Sequence, residues 1–419
     1  MITKPKGTYD LFGVDADNYK YLLSRFEEVC LVNNYQYMKT PVFEASNLFH
    51  RSVGETTDIV TKETYDFKDR GDRDITLRPE GTAGIVRALV ENKLYANTNN
   101  YLKYYYYGPM FRYERPQSGR FREFNQFGIE VFGEKNYLVD AEVINLGVMY
   151  FESLGIKNIK IKINNLGTKE ERQKYRDELV KYMSNYKDLL CEDCLNRLET
   201  NPLRILDCKK DSSKDFFRTV PKISDYFGKE SKEYFSKLLE MLECLQIEYE
   251  IDESLVRGLD YYDYAVFEFV TDDENLSNAS TICGGGRYNS LVKTLDGPDM
   301  SGVGFAIGFE RLNEIVKNLD KEATSSGLEI YVASPEDMMD DAFIIGEMLR
   351  NSGFVVEIDY RNTKLSNKLA TASKMKAKYA VMILEEEFKE YKCKVKDLET
   401  KEENIVPIND LIDELYYKF

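Results

Sequence analysis

Apolar side chains return every three or four residues over 16–37, at Tyr19, Leu22, Leu23, Phe26, Val29 and Cys30, and this spacing predicts a helix. Residues 38–44 then read as extended. Pro41 restricts that strand to an edge or an interface, because it donates no ladder hydrogen bond. From about 74 an extended stretch runs into the turn Arg78-Pro79-Glu80-Gly81, and Thr82 is placed to cap a helix through Leu89. The longest β-type runs cover 101–114 and 121–133. The polar stretch 115–120 joins them, which predicts an antiparallel pair with a long basic connection.

Residues 168–250 change character: charged helical segments dominate, broken by Asn201-Pro202, and predict a helical insertion. Strand signals resume at Leu255-Val256-Arg257 and continue through Phe269, followed by the glycine-rich run Cys283-Gly284-Gly285-Gly286-Arg287-Tyr288. Residues 302–312 read as a strand feeding a helix that begins near Arg311. Residues 320–327 have the composition of a linker. Beyond it, short apolar runs at 328–333, 355–360 and 379–384 alternate with helical stretches, which predicts a small α/β domain with a largely parallel sheet.

Composition then removes whole classes of chemistry. Among 419 residues there is one histidine, His50, so no His₂ or His₃ zinc site can form, and a Ser-His-Asp triad would have to run through that residue. No G-x-x-x-x-G-K-[ST] loop occurs, so any ATP is held without one. No apolar run approaches the ~20 residues of a membrane span, the first residues lack a signal peptide's apolar stretch, and the seven cysteines are odd in number and thinly spread. Together these predict a cytoplasmic protein with reduced thiols. The net charge of −16 speaks against bulk electrostatic binding of nucleic acid, yet leaves room for a local basic patch. Residues 361–384 supply one: Arg361, Lys364, Lys368, Lys374, Lys376 and Lys378, with no acid.

Candidate chemistry concentrates in four places. Along 121–132 one strand face carries Arg122, Phe124, Gln126, Gly128, Glu130 and Phe132, and a strand-interior glycine there suggests close approach of a ligand. Arg112, Arg115, Arg120 and Arg122 gather around one hairpin, either to grip a phosphate or carboxylate or as a surface cluster laced with Glu114 and Glu123. Arg257-Gly258-Leu259-Asp260-Tyr261-Tyr262 adds a further arginine and two phenols. The fourth place is Cys191-Glu192-Asp193-Cys194 with Cys208 nearby. It lacks an obvious fourth zinc ligand and reads as unliganded thiols, so no metal ligands are assigned. The acidic run Glu385-Glu386-Glu387 reads as a solvated turn.

Taken together these segments resemble class II aminoacyl-tRNA synthetases and, within them, the histidyl-tRNA synthetase family, over essentially the whole chain. The segment around Pro41 resembles the first class motif, residues 111–130 the second and 302–312 the third; residues 77–84, 255–262 and 283–288 resemble segments peculiar to the histidine enzymes. The resemblance implies an α+β catalytic domain built on an antiparallel sheet (1–167 and 251–322), a mainly helical insertion (168–250) and a C-terminal α/β anticodon-binding domain (328–419).

It also implies roles. Glu80 and Thr82 would hold the α-amino group of L-histidine with Gln126 beside them, Glu130 and Tyr262 would meet its imidazole, and Gly81 and Tyr261 would belong to the same histidine-binding set. Arg112, Glu114, Phe124 and Arg311 would bind ATP, and Arg112 and Arg257 would be catalytic. Arg115 and Gln117 would read tRNA(His). ATP would be used as a substrate with Mg²⁺, with no tightly bound cofactor, by a homodimer. A catalytically silent paralogue that regulates histidine biosynthesis is the alternative, but such paralogues typically lack the C-terminal domain and the Arg-Gly-Leu-Asp-Tyr-Tyr segment.

Overall fold

The two long β-type runs pair as the pattern predicts, and the sheet grows outward from them. The computed structural model of the chain describes all residues except 55–56, 98–99, 118, 158, 209, 272–280, 318–326 and 418–419. The chain divides into two units, residues 1–322 and 323–419, and most of the linker expected at 320–327 lies outside the described residues.

In the first unit the strands are β1 (Gln36–Tyr37), β2 (Phe43–Ala45), β3 (Tyr65–Lys68), β4 (Asp74–Leu77), β5 (Leu102–Phe111), β6 (Glu123–Gly133), β7 (Ile159–Asn165), β8 (Tyr249–Ile251), β9 (Asp263–Thr271), β10 (Thr281–Tyr288) and β11 (Ser301–Gly308). The large sheet runs β1-β5-β6-β11-β10-β9-β7-β8. It is antiparallel from β5 to β7, with short parallel strands at both edges. β2, β4 and β3 form a separate antiparallel sheet.

Alternation along β6 sorts its side chains onto two faces. Phe127, Ile129 and Val131 enter a core that also holds Phe26 of the helix Val14–Val32 and Ile144 and Tyr150 of the helix Tyr137–Ser153. With one face buried under those helices, the other is left for Phe124, Gln126 and Glu130.

Several expected elements are corrected. The first helix ends at Val32, and Gln36–Tyr37 instead joins the sheet edge. Thr82 is not a cap; Gly81 occupies that position with no side-chain bond, and the Glu80 carboxylate accepts the N–H groups of Thr82 (2.7 Å) and Ala83 (2.8 Å). Residues 255–262 are irregular, and the strand starts only at Asp263. Glu385–Lys389 is a short helix rather than a turn.

In the second unit β12 (Ile330–Ala333), β13 (Val356–Ile358) and β14 (Tyr379–Met382) are parallel, in order β13-β12-β14. The hairpin β15 (Lys392–Asp397) and β16 (Glu403–Pro407) then adds antiparallel to β14, so the sheet is mixed rather than largely parallel. In the basic stretch one residue is buried and another, though exposed, is tied to an acid outside the stretch. Lys368 is 1% exposed and donates to the Asp359 carbonyl (3.1 Å), and Arg361 grips the Asp359 carboxylate through Nε (2.9 Å) and Nη2 (2.6 Å). Arg361, Lys364, Lys374, Lys376 and Lys378 remain at the surface.

Candidate active site

The uncovered face of the large sheet floors a cleft of about 630 Å³. Glu80 and Thr82 come from the start of the helix Thr82–Glu91, and Arg112 and Glu114 from the end of β5. Phe124 and Gln126 come from β6, Arg257, Tyr261 and Tyr262 from the irregular approach to β9, and Arg311 from the helix Phe309–Lys317. All ten line one cavity although they span more than half of the sequence.

Three arginines converge there, each held differently. Arg112 donates through Nε to the Pro79 carbonyl (2.9 Å) and its guanidinium lies 5.4 Å from the Phe124 ring centre. Glu114 stands 3.9 Å from Arg112 and 3.2 Å from Arg120. Arg311 donates to the Thr281 carbonyl, and burial together with the neighbouring Arg120 holds its pKa below the usual value. Arg257 pairs with Glu268, whose other oxygen accepts the Thr281 hydroxyl at 2.7 Å. Of the hairpin arginines only Arg112 and Arg120 reach the cleft. Arg122 stacks on Tyr113 at 3.7 Å, and Arg115 and Gln117 lie exposed on the connecting loop.

Several cleft atoms are buried and lack any protein partner: Gln126 Oε1, the Tyr261 hydroxyl, Arg257 Nε and Arg120 Nε. Buried polar groups are almost always hydrogen-bonded, so a cluster of orphans around one cavity marks where a polar ligand completes the set. Glu80 points the same way. Burial raises its carboxyl pKa against the two backbone N–H bonds, and a cation beside it would restore the charged form.

Glu130 lies one layer behind the lining. It is 1% exposed and accepts from Thr82 (2.6 Å), Tyr106 (3.4 Å) and Tyr288. Gly128, expected to admit a ligand, admits Tyr106 instead: a Cβ there would sit 2.4 Å from the Tyr106 hydroxyl oxygen, and one at Gly81 would sit 2.1 Å from the same ring. The two glycines therefore seat the phenol that supports Glu130.

Burial, the largest influence, pushes the Glu130 carboxyl up to about 8, against the three hydroxyl donors and with help from Glu80. An acid whose pKa is raised by folding binds more protons in the native state, so its contribution to stability falls as pH rises from its unfolded value to its folded one. Each unit in that window carries up to about 1.4 kcal/mol. Asp263, raised by burial to about 7, acts with the same sign but only below that value. Between about pH 7 and 8 Glu130 should contribute to this slope, and Glu130→Gln should make the decline of Tm there shallower. An unchanged slope in the variant would refute this assignment.

Sequence reasoning missed Glu268, Arg204 and Asp207, all of which line the cleft. Glu268 faces the cavity by strand alternation, which was readable once the strand start was known. Arg204 and Asp207 come from the helical insertion and carry no local signal. The insertion also brings Cys191, Cys194 and Cys208 together with Asp211, which no cysteine or histidine spacing singles out.

Comparison with known proteins decides the family. The histidyl-tRNA synthetase family profile matches residues 7–171 and 209–312, and an anticodon-binding-domain profile matches 328–416. The chain belongs to the histidyl-tRNA synthetase family. It is 45% identical over 412 residues to a histidine–tRNA ligase of Geobacillus kaustophilus, covering 97% of this chain and 96% of that protein. To the Bacillus subtilis histidine–tRNA ligase it is 43% identical over 410 residues, covering 97% of each. The crystal structure of apo Staphylococcus aureus histidyl-tRNA synthetase superimposes with a TM-score of 0.84 at 37% identity, covering 99% of this chain and 100% of that one. The family's fold, an antiparallel-sheet α+β body with a C-terminal anticodon-binding domain, is thus the fold expected from the sequence. Among the described residues no helix is long and apolar enough to cross a membrane.

Proposed function

We propose that this chain attaches L-histidine to the 3′ end of tRNA(His) through a histidyl-adenylate, using ATP with Mg²⁺ as second substrate, in the cytoplasm. The observation that carries the reading is one cleft holding Arg112, Arg257 and Arg311 beside Glu80 and the unpartnered Gln126 and Tyr261. Glu80, Thr82 and Gln126 receive the ammonium group of histidine. Tyr261 and Tyr262, backed by Glu130, take the imidazole. Phe124 stacks on adenine, with Glu114 beside it, and Arg311 takes the distal phosphates.

The histidine carboxylate attacks the α-phosphorus in line and expels pyrophosphate. It is already ionised, so no general base is needed, and one histidine in the whole chain is no obstacle. Arg112 and Arg257 fix geometry and offset charge developing on the phosphoryl oxygens, which is most of what phosphoryl transfer asks of a protein. The terminal ribose hydroxyl of the tRNA then attacks the carbonyl carbon of the adenylate and takes the acyl group, expelling AMP, with Arg115 and Gln117 reading the acceptor end of the tRNA; arginine suits guanine by bidentate hydrogen bonding.

Histidine-dependent exchange of labelled pyrophosphate into ATP tests the whole reading. We expect exchange with histidine and none with other amino acids; equal exchange with others, or none at all, would sink it. We also infer a homodimer built around Pro41. Tyr37 (43% exposed) on β1 and Phe43 (58% exposed) on β2 both lie on edge strands of their sheets. Sedimentation equilibrium should give twice the chain mass, and a monomer at micromolar concentration would rule the pairing out.

A further inference from the structure

We propose that the helical insertion holds a structural zinc ion on Cys191, Cys194, Cys208 and Asp211. Their four ligand atoms lie within 4.8 Å of one another, with Cys194, Cys208 and Asp211 buried. The sequence offers neither a histidine nor a second C-x-x-C pair beside these three cysteines. The pattern is in fact C-x₂-C-x₁₃-C-x₂-D, in which the second pair ends in aspartate, itself an accepted zinc ligand.

The geometry fits that ion. Zinc–sulfur bonds of about 2.3 Å in a tetrahedron place sulfurs ~3.8 Å apart. Cys191 and Cys208 stand with their Sγ atoms 3.8 Å apart, which is too far for a disulfide. Asp211 is fully buried; Oδ2 accepts the Cys191 N–H (2.9 Å), while Oδ1 pairs with Lys214 Nζ at 2.7 Å. Three thiolates and one carboxylate around Zn²⁺ leave a net −2, and Lys214 offsets part of it while orienting the aspartate. A closed set of four protein ligands leaves no open position, so the site is structural rather than catalytic.

Its consequence reaches the cleft. The ligand pairs bracket the segment that carries Arg204 and Asp207 into the lining, and Arg197 between them stands 3.6 Å from Asp58, another lining residue. Tying 191–194 to 208–211 closes this segment into a loop and fixes that wall. All three cysteines fall in 172–208, between the two stretches matched by the family profile.

The test is elemental analysis of the untagged full-length protein, purified under reducing conditions without chelators, together with Zn²⁺ titration after stripping. We expect about one zinc per chain, or uptake of one equivalent with sub-micromolar affinity that raises Tm. Co²⁺ in its place should show the visible bands of a tetrahedral thiolate site. Asp211→Ala and Cys194→Ser should lose the metal, whereas Cys244→Ser, at an exposed cysteine elsewhere, should keep it. If the Cys194 variant fails to fold, the Co²⁺ spectrum and stoichiometry of the unaltered protein still decide. No bound zinc together with no tight uptake, or a Cys191–Cys208 disulfide in the native protein, overturns the proposal.

Discussion

Arg257→Ala should lower the rate of histidyl-adenylate formation by about 10²–10³-fold while histidine binding changes little, as expected for loss of a group that acts on charge developing in the transition state. The physical basis is its setting. Burial works against the guanidinium charge, but Glu268 outweighs it, so the arginine stays charged inside the cleft. Its Nε is buried and has no protein partner. Arg257→Lys should recover only part of the rate, because an ammonium keeps the charge and loses the planar fork. Removing the arginine also leaves Glu268 less compensated, so unfolding has to be followed alongside. Single-turnover quench-flow with the folded variant separates the two effects, and near-normal adenylation would show that Arg257 has been given the wrong role.

The largest expected effect on stability lies behind the site. Arg287→Met should destabilise the first unit by about 3–5 kcal/mol, since it strands a carboxylate in the core. Arg287 is 1% exposed and Asp140 is fully buried, and Arg287 Nε stands 2.8 Å and 3.0 Å from the two Asp140 oxygens. The Tyr234 hydroxyl also donates to Asp140 (2.7 Å), and Arg287 donates further to Ser301 and to the Asn136 carbonyl. The pair joins the helix Tyr137–Ser153 to β10. Replacing both partners by apolar residues should recover much of the loss, because a buried pair gains little over packed hydrocarbon whereas half a pair is costly. Recovery should stay incomplete, since the Tyr234 hydroxyl would lose its acceptor. Chemical denaturation of both variants measures this, and a loss below about 1 kcal/mol for Arg287→Met would mean that water or rearrangement screens Asp140.

Local chemistry made much of the cleft face legible. Alternation along 121–133 separated Phe127, Ile129 and Val131 from Gln126 and Glu130, and the structure buries the first set under helices and turns the second toward the cleft side. Arg311 at a strand-to-helix junction was readable for the same reason, as were the three parallel strands of the second unit. What stayed hidden were pairings between distant segments. Gly128 gave a correct signal of close approach but not its cause, because Tyr106 lies on the neighbouring strand. Six basic residues over 361–378 looked like one exposed stripe, yet Arg361 and Lys368 turn to a single aspartate. Residues 255–262 have strand composition but no strand partner.

By itself the sequence determined the order of elements, the two faces of the central strands, the absence of any site built on two or more histidines and the family to which the chain belongs. Each follows from side-chain period, residue counts or short contiguous motifs. Only the tertiary structure decided which polar atoms are left without partners, that Glu130 stands behind the lining with its oxygens engaged, and that Asp211 completes a four-ligand cluster. The reason is physical: burial and hydrogen-bond satisfaction are set by groups far apart along the chain, and no local spacing encodes whether a carboxylate meets a solvated surface, a hydroxyl or three thiols.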